Sequence, residues 1–324
     1  MSDAKKETIN NTTIEENQEK ISFKWGWLIR VVITIVILVL IFRNIEFQSV
    51  KNIILQADVK LLLIAILFQL LSTLLAGYRW GQVMKMLNFG QRSDFYMRSY
   101  FKGSFFNQGL PTSIGGDAVR VLDVAGNGHR KRDAFIGVFI DRVLGLSGLL
   151  ILNLGANYFL PHLLPDNLFM MINIIVLSGL LGFIAFIYIH KIKFLYQGRL
   201  LNYILRVSQQ FNKILHDIRS ISFHLIIGVL IHLFSIINIY FVGKSVGLEY
   251  NLLTMAVIVP PVILLTLIPV SLAGWGIREG AMIGLFGLIG AATANVLSMS
   301  LLYGIILIIA SLPGLYTFLH KKEK

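Results

Sequence analysis

The chain alternates between long apolar stretches and short polar segments that carry most of its charge. Six of the apolar stretches approach or exceed the roughly 18 residues that indicate a membrane-spanning helix. Each is free of charge or nearly so. We therefore predict an all-α polytopic membrane protein with about six full spans. The predicted spans are residues 27–42, 61–78, 135–159, 168–189, 221–242 and 297–318.

Two further apolar stretches are interrupted by Pro and Gly. The interruptions share a ten-residue pattern, PTSIGGDAVR at 111–120 and PVSLAGWGIR at 269–278. A break at membrane depth leaves backbone groups unpaired unless it is buried in protein or lines a polar cavity. We predict that each break is the tip of a re-entrant helical hairpin. The residues that make the breaks are Pro111, Gly115, Gly116, Pro269, Gly274 and Gly276.

The two breaks divide the chain into similar halves, 25–160 and 168–320. Each half contains two spans, a hairpin and a further span. Three full crossings per half invert the second half relative to the first, which is typical of transporters with inverted repeats. The prediction is therefore one transmembrane domain over 25–320, with the first hairpin entering from the cytoplasm and the second from outside.

Basic residues indicate the orientation of this domain. Lys and Arg concentrate in segments that the scheme places on one side, among them 79–102, 120–132 and the linker 191–219. Cytoplasmic loops collect such residues, so both termini are predicted to be cytoplasmic. We expect residues 1–24 to form a disordered cytoplasmic tail and the linker to form a basic amphipathic helix on the membrane surface.

Composition excludes several classes of protein. Only 14% of the residues are charged and 56% are hydrophobic, whereas a soluble domain carries about 25% charged residues. In such a chain the net charge of +12 indicates contact with an anionic membrane surface and not with nucleic acid. There is no cysteine and no phosphate-binding P-loop pattern. We expect no cofactor. We also expect no metal site, because His224 and His232 are eight residues apart, whereas a zinc-binding pair on a helix is usually four apart and has a third ligand.

Candidate binding residues cluster at the two breaks. A helix that restarts after a break offers unpaired N–H groups and the positive end of its dipole, which suit an anion. Arg120 and Arg278 add planar guanidinium groups that bind phosphate with two parallel hydrogen bonds. Asp117 precedes Arg120 by three residues and can pair with it or contact a ligand. Alternatively, the breaks only kink packed helices and each Arg reaches towards the interface.

Other ionisable residues lie near the breaks. Asp141 and Arg142 lie inside a predicted span, where charged groups are costly and mark functional sites. Adjacent residues do not face each other on a helix, so each needs its own partner. Glu279 can hold a cationic group or neutralise Arg278. The residues predicted to bind a substrate are Arg120, Arg278, Asp117, Glu279, Asp141, Arg142, Ser113 and Ser271.

Residues 105–120, 141–145 and 269–280 resemble the lysylphosphatidylglycerol synthase transmembrane family, which is similar to the flippase region of the multiple peptide resistance factor. The resemblance implies a plasma-membrane protein that moves phospholipids, such as lysylphosphatidylglycerol or another aminoacylated lipid, between leaflets. It implies that Arg120 and Arg278 contact the phosphate from opposite sides, and that Asp117, Asp141 or Glu279 holds a cationic group. It does not extend to an aminoacyltransferase domain.

Two other functions stay open at this stage. The first is a membrane-embedded transferase with a lipid-linked donor, for which Asp117 or Asp141 would serve as the base. The second is a non-catalytic partner that anchors or regulates a lipid-modifying enzyme through 191–219. A homo-oligomer also stays open.

Overall fold

The computed structural model of the protein describes residues 28–43, 45–109, 115–192, 198–215, 217–268 and 270–320. These residues form twelve α-helices and no strand, which confirms the all-α polytopic fold. The helices are α1 (Leu28–Arg43), α2 (Phe47–Leu55), α3 (Val59–Met86), α4 (Ser93–Gly109), α5 (Gly115–Ala125), α6 (Lys131–Phe159), α7 (Asp166–Tyr188), α8 (Arg199–Ile214), α9 (Ile218–Ser245), α10 (Leu252–Thr266), α11 (Ile277–Gly287) and α12 (Thr293–Leu319). A short 3-10 helix, Ile189–Lys191, follows α7. The predicted tail, 1–24, lies outside the described residues.

The long helices match the predicted spans. Within the described ranges, α3, α6, α7, α9 and α12 are long and apolar enough to cross a membrane. The pair α1 and α2 passes the same test when taken together, with a bend of 93° between the two helices. The largest difference from prediction is in α3, which continues two turns beyond Arg79. Arg79 lies inside this helix because a carboxylate on α6 neutralises its charge.

The helices repeat in the order that the sequence predicted. α3 and α9 have 28 residues each, and α5 and α11 have 11 each. α4 and α10, which precede these shorter helices, have 17 and 15 residues. α6 and α12, which follow them, have 29 and 27 residues. Each half therefore contains a long helix, two shorter helices and a second long helix.

The two halves run in opposite directions. α3 and α9 pack along their length, and their residue pairs run antiparallel. The N–H of Asp58 donates to the main-chain carbonyl of Ser245 (3.1 Å), and the hydroxyl of Ser72 donates to the main-chain carbonyl of Ile231 (2.9 Å). Further along α3, Tyr78 packs edge-on against Phe223. Because α3 and α9 are equivalent in the repeat, antiparallel packing gives the second half the inverted orientation.

Both interrupted stretches form hairpins. In the first, Lys102 Nζ of α4 binds the carboxylate of Asp123 of α5 at 2.8 Å near the open end, and Asn107 contacts Gly116 near the tip. In the second, the hydroxyl of Tyr250 donates to the carbonyl of Ile289 (3.2 Å) at the open end. Each hairpin follows the C-terminal end of α3 or α9, so the two enter from opposite sides.

The hairpin of each half packs against a long helix of the other half. The first hairpin packs on the last helix of the second half, α4 against α12, and α10 of the second hairpin packs against α6. Gly314 of α12 allows the closest of these approaches, since a Cβ there would overlap the backbone of Phe101. Neither half is therefore a separate unit.

Asn153 of α6 stabilises an irregular turn of α10. Pro260 and Pro261 lie inside α10 and lack the N–H groups that would bond the carbonyls four residues earlier. Those carbonyls belong to Ala256 and Val257, and the side-chain amide of Asn153 donates to both, at 3.3 and 3.1 Å. All of these groups are buried. A side chain of one half thus satisfies the backbone of the hairpin in the other half.

We expect Asn153→Ala to lower the free energy of unfolding by about 1–3 kcal/mol, because it leaves two buried carbonyls without donors. Replacing Pro260 and Pro261 by Ala in the same variant should recover part of the loss, since each Ala supplies the missing N–H. Thermal unfolding in detergent measures both effects. If the proline replacements destabilise the Asn153→Ala variant and wild type equally, the capping role is wrong.

The linker helix α8 differs from its predicted environment. It is amphipathic, as its sequence indicated, and its apolar side carries Leu205, Phe211 and Ile214, which are fully buried. These side chains pack against α3, α6 and α7. The apolar side therefore lies on the helical bundle and not on lipid. Hydropathy cannot distinguish the two environments, because both are apolar.

Candidate functional site

Arg120 is the centre of a buried cluster at the first hairpin. It lies in the second turn of α5 and is 4% exposed. Its guanidinium carbon is 4.2 Å from the ring centre of Trp80 on α3 and 4.6 Å from that of Tyr100 on α4. Cation–π contacts of this kind are worth about 2 kcal/mol when they are desolvated. The aromatic rings fix the plane of the guanidinium group.

Asp141 of α6 joins Arg120 to Arg79 of α3. Arg120 Nη2 donates to Asp141 Oδ2 at 2.7 Å, and Arg79 Nε donates to Asp141 Oδ1 at 2.9 Å. Arg79 Nη2 also donates to the main-chain carbonyl of Asp141 at 2.9 Å. The carboxylate is 1% exposed. Three elements of the first half are thus connected through one carboxylate.

Asp117 links the cluster to a third arginine, Arg142. Its Oδ1 accepts from Arg120 at 3.1 Å, along one face of α5, which is one of the two roles that the sequence left open for Asp117. Its Oδ2 accepts from Arg142 of α6. Asp141 and Arg142 therefore do have separate partners, as the helix geometry required. The cluster holds three guanidinium groups against two carboxylates, a formal excess of one positive charge.

The second hairpin holds a smaller cluster. Arg278 and Glu279, both buried, lie in the first turn of α11, and Arg278 Nη2 donates to Glu279 Oε1 at 2.6 Å. Ser300 of α12 donates to the same oxygen at 3.0 Å. Arg278 also lies over the rings of Trp275 and Tyr303, at 4.6 and 5.5 Å. This cluster is formally neutral.

The two clusters share their chemistry but not their helical register. Arg120 is in the second turn of its helix and Arg278 in the first. The first-turn donors are also engaged differently. The N–H of Gly276 donates to Glu279 Oε2 at 2.6 Å, and that of Gly116 donates to Asn107 Oδ1 at 2.7 Å. One N-terminal donor of each hairpin helix is therefore already bonded within the protein.

The remaining predicted residues have varied positions. Gly115 begins α5, and Gly274 and Gly276 adopt positive φ angles of 81° and 85°, which only glycine reaches without strain. Ser271 is buried, and its hydroxyl makes no hydrogen bond within the described part of the chain. Pro111, Ser113 and Pro269 lie outside the described residues.

A polar cavity of about 100 Å³ lies beside the first hairpin. It is several times larger than one water requires. Gln69 and Thr73 line it from the middle of α3, and Ser311 lines it from α12. The tip of the first hairpin supplies its other polar residues, Ser104, Asn107 and Gln108. Thr73 precedes Arg79 by six residues on α3, so the charged cluster begins about 9 Å further along that helix.

The two histidines of α9 each contact an uncharged group. His224 is buried beside Met86, and a ring nitrogen of His232 is 3.0 Å from the carbonyl oxygen of Gly145. Among the described residues, no three His, Asp or Glu side chains are arranged to hold a metal.

The sequence did not identify several residues of these clusters. The predicted span 61–78 ends just before Arg79, and Trp80 and Tyr100 are not among the predicted site residues. The absence of a helix breaker between Arg79 and Met86, apart from Gly81, was the available signal that the helix continues. No comparable signal marks Trp275, Ser300 or Tyr303.

The fold and these sites define a class: polytopic helical membrane proteins with two inverted halves, each holding a helical hairpin with a buried ion-paired Arg. The family described as the lysylphosphatidylglycerol synthase TM region matches residues 27–314. The chain belongs to this family. It is also similar to a UPF0104 membrane protein of Pyrococcus horikoshii, with 26% identity over 306 residues, covering 85% of this chain and 90% of that protein.

Proposed function

We propose that the protein is a plasma-membrane translocase that moves phospholipid head groups between leaflets through the cavity at the tip of the first hairpin. The observation that carries this proposal is the polar lining of that cavity, to which Gln69 and Thr73 contribute from the middle of α3. Hydrogen-bonding groups at this depth are costly unless they face water or a polar ligand. Such a lining therefore suits a head group in transit.

The arrangement of the hairpins supports the same function. They enter from opposite sides, and in each hairpin a buried Arg lies in the helix that follows the break. Inverted repeats with broken helices are typical of transporters that open to each side in turn. The resemblance to a flippase region agrees with this mechanism.

The transferase alternative has less support. A base needs a carboxylate oxygen within reach of an acceptor hydroxyl. All four carboxylate oxygens of Asp117 and Asp141 are bonded to guanidinium groups. Neither group is placed to accept a proton from a substrate. No contact in the described residues favours the regulatory alternative.

Reconstitution tests the proposal. Purified protein in liposomes should increase the rate at which a fluorescent phospholipid becomes accessible from the other leaflet. Ser104→Leu should reduce this rate, because the larger side chain fills the cavity that Ser104 lines. Ser178→Leu is the matched control, since Ser178 lies exposed on α7. Equal rates in protein-free and protein-containing liposomes would contradict the proposed function.

The proposed orientation places both termini in the cytoplasm, with the basic segments facing the anionic leaflet. The chain has no native cysteine, so single introduced cysteines report sidedness directly. Gln209→Cys on α8 should react with an impermeant thiol reagent only from the cytoplasm, and Asn167→Cys at the start of α7 only from outside. Both positions are exposed. Labelling of both from one side would contradict the orientation.

A further inference from the structure

The first helix, α1, is attached to the rest of the protein along one narrow face. Among its described residues only Thr34 is buried, and seven of its large apolar side chains are 47–59% exposed. A helix with so few buried contacts can move away at a small cost in packing. At its C-terminal end α1 bends by 93° into α2, which packs against α12 and keeps α1 attached.

The narrow face of α1 lies on the break of the second hairpin. The backbone N–H of Leu272 donates to the hydroxyl oxygen of Thr34 at 2.9 Å. One turn further along α1, a Cβ at Gly276 would lie 3.1 Å from the Cβ of Ile37, so the glycine permits this close approach. α1 therefore covers backbone between the end of α10 and the start of α11.

The covered backbone carries a polar side chain without a partner. Ser271 is 3% exposed, and its hydroxyl makes no hydrogen bond within the described part of the chain. The neighbouring N–H of Leu272 is bonded to a neutral hydroxyl oxygen, which is a weaker acceptor than a charged phosphate oxygen. If α1 moves away, both groups need an oxygen from elsewhere, because unpaired polar groups at membrane depth are costly. A lipid phosphate supplies such oxygens, whereas an acyl chain does not.

We propose that the second break is a further head-group site for the phosphate of a phospholipid, and that α1 covers this site with the Thr34 hydroxyl in the place of a phosphate oxygen. This inference rests on the proposed translocase function and adds a site in the second half to the cavity in the first. The hydroxyl of Ser271 and the N–H of Leu272 donate to the phosphate once α1 has moved. Exchange of one acceptor for the other links the uncovering of the site to the arrival of a lipid.

Thiol labelling measures the uncovering of the site, because the chain has no native cysteine. Ser271→Cys reports how often a small maleimide reaches the break. Thr34→Val keeps the shape of the side chain but removes the acceptor, so it should raise the labelling rate of Ser271→Cys about fivefold, as expected for the loss of one hydrogen bond. Thr317→Val is the matched control, since the Thr317 hydroxyl bonds the carbonyl of Gly314 within α12. Equal labelling rates with and without Thr34→Val would overturn the inference.

The same labelling reaction identifies the ligand. In detergent, phosphatidylglycerol should slow the labelling of the protein that carries both Thr34→Val and Ser271→Cys, because the N–H of Leu272 still binds the phosphate. Diacylglycerol, which has the acyl chains but no phosphate, should not slow it. Labelling that phosphatidylglycerol does not slow would overturn the head-group site. Equal protection by inorganic phosphate would assign the site to a free anion and overturn the lipid as its ligand.

A reversible cross-link tests whether transport needs the movement of α1. A Cβ at Gly280 would lie 4.0 Å from Cδ1 of Ile41, so cysteines at these two positions can be joined by a short thiosulfonate cross-linker. The joined protein should lose most of its lipid movement in liposomes and regain it after reduction, whereas each single-cysteine variant should keep its activity. Unchanged movement in the joined protein would overturn the covering role of α1. Movement of no lipid by any form, wild type included, would contradict the proposed function, while the labelling results would stand.

Discussion

Asp141→Asn is expected to lower the free energy of unfolding by about 3–5 kcal/mol, enough to prevent accumulation of folded protein. Asp141 neutralises both Arg79 and Arg120 at 2.7–2.9 Å. The substitution preserves shape but leaves two buried cations with one fewer carboxylate, which is the costly case for a buried ion pair. Thermal unfolding in detergent, followed by size-exclusion chromatography, measures the loss.

Two comparisons isolate the electrostatic part of this effect. Asp94→Asn breaks a pair with Arg98 whose side chains are 50–60% exposed, and exposed pairs contribute about 0–1 kcal/mol. Combining Asp141→Asn with Arg79→Gln removes one of the unpaired cations, so the double variant should be more stable than the single one. If all Asp→Asn changes cost the same, or if the second change adds to the loss, the cluster does not stabilise the fold as described.

Gly116→Ala is expected to separate the arms of the first hairpin and to lower the free energy of unfolding by about 3 kcal/mol, the upper end for overpacking. A Cβ at Gly116 would overlap the backbone carbonyl of Gly103, which cannot move without displacing α4. The displacement would also shift Arg120, four residues further along α5. Unfolding midpoints and lipid movement, both normalised to inserted protein, are the measurements.

The matched control for this prediction is Gly182→Ala in α7. Nothing lies within 4 Å of a Cβ built at Gly182, so the change should stabilise its helix by about 0.5–1 kcal/mol. Gly179, three residues earlier, is less suitable, because its Cβ would come within 2.8 Å of Leu150. Equal stability of the Gly116→Ala and Gly182→Ala variants would show that the hairpin tolerates a wider spacing.

Hydropathy predicted the spans to within a few residues, because length and apolarity alone decide which segments cross a membrane. It failed at Arg79, since the carboxylate that makes a charge tolerable there lies 62 positions away on α6. The repeated break pattern predicted both hairpins correctly. It could not predict the helical turn in which each Arg lies. Residues 115–118 of the first copy belong to α5, whereas the aligned residues 273–276 of the second copy precede α11.

Partners of the charged residues were only partly predictable. Local geometry allowed the pairing of Asp117 with Arg120, since both lie on one helical face, but it did not decide between pairing and ligand contact. The contacts of Asp141 with α3 and α5, and of Asn153 with α10, depend on tertiary packing and have no local signature.

The packing of α4 against α12 has a consequence for biogenesis. Phe101 and Gly314 touch across more than 200 positions of sequence, so this contact forms only after nearly the whole chain has been synthesised. At about 5–20 residues per second, synthesis of the intervening chain takes roughly 10–40 s. During that time the first hairpin is in the membrane without its final neighbour. We expect it to be the region most exposed to quality-control proteases while the nascent chain is completed.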